Sequence, residues 1–164
     1  SMTKMNPIRI EFFVPGVTDK RGVARPMPGG SKSAFYNKNL GRAMVVDACK
    51  HSKKWRNQVV LFAHQAHEGP LLTGPVLLSV KFLLPRPKGH YGTGKRAEVL
   101  KASAPQYPLK KPDLTKLTRA AEDALTGVLW VDDAQIVSQV VSKRYIDNAS
   151  IPTGADFLVE EFVP

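Results

Sequence analysis

Four stretches cluster or alternate apolar side chains in the way strands do. Ile8 to Val14 is stopped by Pro15-Gly16, and Val76 to Leu84 (VLLSVKFLL) by Pro85 and Pro87. Ile136 to Tyr145 and Phe157 to Phe162 complete the set. Two other stretches change to helical spacing. From about Gly41 to His67, Met44, Val45, Ala48, Trp55, Val59, Phe62 and Ala63 can share one broad apolar face, closed by Glu68-Gly69-Pro70. From Asp113 to about Thr126, Leu114, Leu117, Ala121, Ala124, Leu125 and Val128 fall in one stripe, and Gly127 is a suitable stop.

The segments between them are rich in Gly, Pro and basic residues. Residues 15–39 and 86–96 read as basic loops, 97–102 as a short helix, and 104–112 as extended chain. The resulting order is β-α-β-α-β-β. It predicts an α+β fold with a small mixed β-sheet and two main helices packed on one face. No repeat and no linker divides the chain, so residues 1–164 are expected to form one domain, with Ser1-Met2 reading as a cloning remnant.

Composition excludes several classes. The 43% hydrophobic and 23% charged content is that of an ordinary globular protein, so wholesale disorder is excluded. A lone cysteine, Cys49, excludes a disulfide scaffold and a cysteine-rich zinc fold. The longest uncharged apolar stretch, Leu71 to Val80, is too short for a bilayer and is broken by Gly74-Pro75. No apolar leader is visible near the N-terminus, so a signal peptide is not expected.

Charge changes the picture more. Residues 1–112 carry 20 basic and 5 acidic side chains, and residues 113–164 carry 4 and 9. A basic first part implies a polyanion partner. Acidic groups beside phosphate repel it unless a cation intervenes, which points to carboxylate-held metal acting on nucleic acid. A solvated acidic end is the plainer alternative.

Several motifs fall away on inspection. Gly89 to Lys95 fits GxxxxGK, but Arg96 stands where a P-loop needs Ser or Thr for Mg²⁺. The stretch fits better as a loop touching phosphate through Lys95, Arg96 and backbone N–H groups. His64 and His67 share a helix face without further metal-ligand partners. No GxSxG elbow is present.

The carboxylates are more informative. Asp113 sits at the mouth of the second helix, where it is either an N-cap or a ligand. Asp132-Asp133 sits in a short turn, where it is either structural or functional. Glu122 and Asp123 read as solvent-facing. A helix of about 14 residues is roughly 20 Å long, so it holds Asp113 away from Asp133. The two meet only across subunits or if the turn folds back.

Lys110 to Tyr145 resembles the RusA family of Holliday-junction resolvases, whose pattern is roughly KPDxDNLxKaxxDALxGxxwxDDxQIV. It is matched here by Lys111-Pro112-Asp113, Leu117, Arg119, Asp123-Ala124-Leu125, Gly127, Trp130, Asp132-Asp133 and Gln135-Ile136-Val137. The resemblance implies a homodimer that cuts four-way DNA junctions with Mg²⁺, or Mn²⁺ in its place, in the cytoplasm of a bacterial or phage-infected cell. It implies Asp113 and Asp133 as metal ligands, Asp132 beside them, and Arg119 at a functional lysine position. It also implies a carboxylate where this chain has Thr115. A non-cleaving junction binder with a decayed metal site is the alternative. The expected DNA contacts are Lys20, Arg21, Arg25, Lys32, Lys50, Lys53, Lys54, Arg56, Arg86, Lys88, Lys95 and Arg96.

Overall fold

The computed structural model describes residues 7–30, 32–47 and 51–162, with the side chains of 32, 33 and 45–47 left out. In chain order the elements are β1 (Arg9–Pro15), β2 (Val17–Thr18), β3 (Ala24–Arg25), β4 (Lys32–Asn37), β5 (Arg42–Asp47), α1 (Ser52–Ala66), β6 (Val76–Leu84), α2 (Leu114–Leu125), β7 (Ile136–Tyr145) and β8 (Gly154–Glu161). A small β-sheet and two helices make a mixed α/β fold.

The main sheet has the strand order β1-β8-β6-β7. Strand β6 pairs parallel with β7 and antiparallel with β8, which pairs antiparallel with β1. A parallel pair needs a long crossover, and α2 lies within it. Period-2 alternation sends Val76, Leu78, Val80, Phe82 and Leu84 of β6 into the core. Their neighbours Phe157 and Val159 of β8 and Ile10 and Val14 of β1 are also buried. Phe12 stacks on Phe157 with centroids 4.9 Å apart.

Both helices cover this core: α1 packs on β1 and α2, while α2 reaches β7. Trp55, Val59 and Ala63 of α1 are fully buried, as are Leu117, Ala120, Ala121 and Leu125 of α2. The alanines let the two helices approach closely.

Three local expectations are corrected. The helix begins at Ser52, because 32–37 and 42–47 form a β-hairpin. Turn chemistry overrides the apolar periodicity there: Asn37 Oδ1 accepts the N–H groups of Asn39 and Leu40, and Gly41 takes φ +63°. The basic loop 15–39 therefore holds three short strands, and Cys49 lies outside the described residues. The short helix expected at 97–102 is absent. Instead, Tyr91 bridges Leu100, and two single-turn 3₁₀ helices span Lys88–His90 and Gly94–Arg96. No strand–loop–helix surrounds Lys95, which removes the P-loop reading. Finally, β8 starts at Gly154 rather than Phe157. A Cβ on Gly154 would lie 2.1 Å from the Val14 carbonyl oxygen, so only glycine lets β8 and β1 close there.

Candidate functional site

Helix α2 and strand β7 lie side by side and run in opposite directions. Two contacts fix this. Near the helix start, Lys143 Nζ donates to the carbonyls of Lys110 and Pro112 at 3.0 and 3.1 Å. Near its end, Gln139 Nε2 donates to Glu122. Between them runs a groove with a cavity of about 310 Å³ bordered by Thr115, Thr118, Arg119, Glu122, Gln139 and Val141. A second hollow of about 360 Å³ continues it past Glu122 and Gln139 to Asp133 and Ser138.

Asp113 occupies the N-cap position of α2, yet its side chain makes no capping hydrogen bond. Its carboxylate is 54% exposed, with Lys116 Nζ at 3.8 Å. The plain N-cap explanation for this aspartate therefore does not hold. Thr115 follows it, exposed, on the groove wall.

The other acidic end is built by a turn. Asp132 Oδ1 accepts the Ala134 N–H at 2.8 Å, and Gln135 reaches back in a capping box. Gln135 Oε1 accepts the N–H groups of Val131 and Asp132, while its Nε2 donates to the carbonyls of Leu72 and Gly74. One side chain thus ties the turn to the chain leading into β6. Trp130 anchors the turn from beneath, fully buried, with Nε1 donating to Thr126 Oγ1 at 3.0 Å. Asp132 thereby has a structural task, whereas Asp133 is exposed and borders the groove.

Glu122 was not expected here. It is half-buried, and burial is the main cause that raises its pKa, followed by the charges of Asp133 and Asp123; the Gln139 bond and Arg119 oppose the shift. Its spacing from Thr115 and Arg119, at i+7 and i+3, puts all three on one helix face and was the available signal. Asp123 is exposed, as expected.

Arg119 also borders the groove. The Gly29-Gly30 segment lies across α2, with the Gly29 N–H donating to the Lys116 carbonyl at 2.9 Å. A Cβ on Gly30 would meet Arg119 Nη1 at 2.6 Å, so the bare glycine makes room for the guanidinium.

Asp113 and Asp133 lie at opposite ends of α2. At 1.5 Å per residue, the stretch from Asp113 to Glu122, beside which Asp133 lies, spans about 13 Å of the axis. Among the described residues no three His, Cys, Asp or Glu side chains gather closely enough to hold a metal ion.

The basic candidates scatter. Arg21, Arg25, Arg86 and Lys88 border one cavity on the other side of the Lys110–Pro112 segment. Lys20 is exposed on the β2–β3 turn, and Lys95 and Arg96 are exposed in their 3₁₀ turn. Lys53 and Lys54 are exposed on α1, where Arg56 Nη1 donates to Ser52 Oγ at 2.7 Å. Lys32 lies in β4, and Lys50 falls outside the described residues.

Comparison with known proteins now bears on this groove. Residues 26–152 match the family described as Endodeoxyribonuclease RusA. The chain belongs to the RusA family. The protein YqaN of Bacillus subtilis (strain 168), named as uncharacterized, is 32% identical over 111 residues, which cover 68% of this chain and 77% of that protein. The family match includes both ends of α2, the second basic loop and the first from residue 26 onward, so Lys20, Arg21 and Arg25 lie outside it. Membership supports a RusA-type nuclease function in general terms. No helix among the described residues is long and apolar enough to cross a membrane.

Proposed function

We propose that the protein is a Mg²⁺-dependent, structure-selective endonuclease that works as a homodimer and resolves four-way DNA junctions by paired nicks. The observation that carries this reading is the α2–β7 groove, which lies in a RusA-family chain and has an uncapped Asp113 at one end and Asp133 beside Glu122 at the other.

The donor set suits the ion in part. Mg²⁺ takes oxygen ligands, keeps several waters, and commonly uses one or two carboxylates plus substrate phosphate. Asp133 and Glu122 meet that description, while Asp132 caps its own turn. Asp113 does not join them within one chain, and Thr115 brings no charge where the family carries a carboxylate. A second copy related by a two-fold axis brings its own Asp113 to this end, which suits the two-fold symmetry of a junction.

When bound, the metal lowers the pKa of a water and stabilises charge on the attacked phosphate. The chain's residues do the rest. Asp133 with Glu122, and Asp113 of a second copy, would hold the ion. Arg119 holds a phosphate oxygen through its planar fork. Gln139 and Gln135 hold Glu122 and the Asp132-Asp133 turn in place.

A second reading, a junction binder that does not cut, is favoured by Thr115 alone. Incubation with a labelled four-way junction and matched duplex, in Mg²⁺, Mn²⁺ or EDTA, separates the two. Paired nicks in the junction that need metal are the expected result. Tight junction binding without nicks in either metal overturns the enzyme reading.

A further inference from the structure

On the far side of the Lys110–Pro112 segment is a cavity of about 420 Å³. Chain segments from four distant places meet there: the β2–β3 turn, the end of β6 with the residues after it, residues 108–112, and Tyr145 of β7. Its rim and walls carry Arg21, Arg25, Arg86, Lys88, Lys110 and Lys111, and no acidic residue borders it. Six like charges around one concavity repel each other and raise the local concentration of anions.

Three of these cations have fixed positions. Asp19 Oδ1 accepts the N–H groups of Arg21 and Val23 at 2.8 and 3.0 Å. Its Oδ2 lies 2.9 Å from Arg25 Nη2 and 3.6 Å from Arg21 Nη2. One carboxylate therefore holds both arginines over the cavity. Arg86 donates to the carbonyls of Ile146 and Pro105, both at 2.6 Å, and lies 5.1 Å from the centre of the Tyr145 ring. By contrast, Lys88, Lys110 and Lys111 have no ion-pair partner among the described residues.

The chemistry favours phosphate over base. The Tyr145 ring has Arg86 on it and the His90 edge at 4.9 Å, and the residue is 9% exposed, so no aromatic face is left for stacking. Pro85, Pro87, Pro108 and Pro112 stiffen the wall, which lowers the entropic cost of ordering a ligand. The pKa of His90 is lowered, first by burial and then by the charges of Arg86, Lys101 and Lys110, which reports a positive local field.

We propose that this cavity seats a phosphate group of a DNA strand between the Arg21–Arg25 pair and Lys88 with Lys110. This deepens the reading of the protein as DNA-directed and rests on it, but it is independent of cleavage. Residues 110–112, which line the cavity, lead directly to Asp113, so a strand held here would run close to it.

The test is binding of a fluorescent four-way junction in EDTA, titrated with salt. Each phosphate contact contributes about 0.9 to the slope of log K against log salt. Lys88→Ala/Lys110→Ala is expected to reduce the slope by about 0.9 for each cavity that holds a phosphate and weaken binding roughly tenfold or more, and Arg21→Glu to weaken it further. Lys81→Ala, on the open face of the sheet, leaves both unchanged. Parallel junctions with 5′-phosphate and 5′-hydroxyl ends distinguish sources: equal losses place an internal phosphate in the cavity, and a loss only with the phosphorylated end places a terminal one there. An unchanged slope in the double variant, with its melting temperature intact, overturns the proposal. So does a loss of binding to a poly-glutamate peptide without a loss for DNA. Junction cleavage by wild type is scored separately, so a dead nuclease with a lost slope removes the enzyme reading and keeps the cavity.

Discussion

Two hollows of opposite character lie along this part of the chain, one lined by residues 110–112 and the other starting at Leu114. Along the α2–β7 groove, Asp113 precedes α2, Glu122 lies on it, and Asp133 sits in the 3₁₀ turn before β7. The basic cavity draws six cations from loops spread over residues 21 to 111. In the groove, acidic groups are spaced along a helix, and a cation must join them. In the cavity, cations converge with no counter-charge on the lining, and an anion must separate them. Under the proposed function the contrast divides the tasks: the groove would act on a phosphodiester, and the cavity would hold the strand.

The largest effect that sharpens this contrast belongs to Asp133. Losing even an outer partner of a metal site costs about 10–100-fold, and losing a ligand costs at least that. Asp133→Asn is therefore expected to reduce junction cleavage by more than about a hundredfold in a single-turnover assay, while junction affinity in EDTA stays at the wild-type value. A matching fall in affinity breaks the division of tasks.

Gln135 comes next. Its side chain makes four hydrogen bonds, two to each side of the turn. At about 0.5–1.5 kcal/mol net for each, Gln135→Ala is expected to lower unfolding stability by about 2–4 kcal/mol in urea denaturation. Gly30→Ala follows. It forces a side chain onto φ +77° and against Arg119, for a cost of about 1–2 kcal/mol, together with a fall in cleavage from the displaced guanidinium. Cleavage at the wild-type rate shows that Arg119 does not need that position.

The smallest effect is a pH dependence. Burial first, and the charges of Asp133 and Asp123 after it, raise the pKa of Glu122 in the folded state. A raised carboxyl contributes stability below its unfolded pKa and loses it as pH rises through the folded value. Glu122→Gln is thus expected to gain stability relative to wild type near neutral pH and to lose that advantage below about pH 4, where a free glutamate is protonated. Equal differences at both pH values show that Glu122 titrates normally.

Much of this was legible in the residues. Strand β7 has the limits that its alternation predicts, and the buried stripe of α2 follows from the spacing of Leu117, Ala121 and Leu125. The Asp132-Asp133 turn with Gln135 carries a pattern because each residue has a fixed bonding task. The β4–β5 hairpin was hidden because its apolar positions also fit a helix, and the asparagine turn with Gly41 outweighs that fit. Glu122 was hidden because its exposure depends on Gln139, a neighbour 17 positions away. The cavity was hidden for the same reason on a larger scale: Arg21, Lys88 and Lys110 become neighbours only once β6 and β7 pair. The guanidinium of Arg86, an expected DNA contact, also donates to two carbonyls of its own chain, which its sequence position did not reveal.

The central claim is that one chain keeps Asp113 and Asp133 apart and a second copy completes the site. Mixing the inactive Asp113→Asn and Asp133→Asn proteins, with exchange of subunits, tests it most directly. In a mixed dimer with shared sites, one site receives both native aspartates, so single-strand nicks in the junction return. If each site takes both aspartates from one chain, every site in the mixture lacks one, and the absence of any nicking contradicts the account.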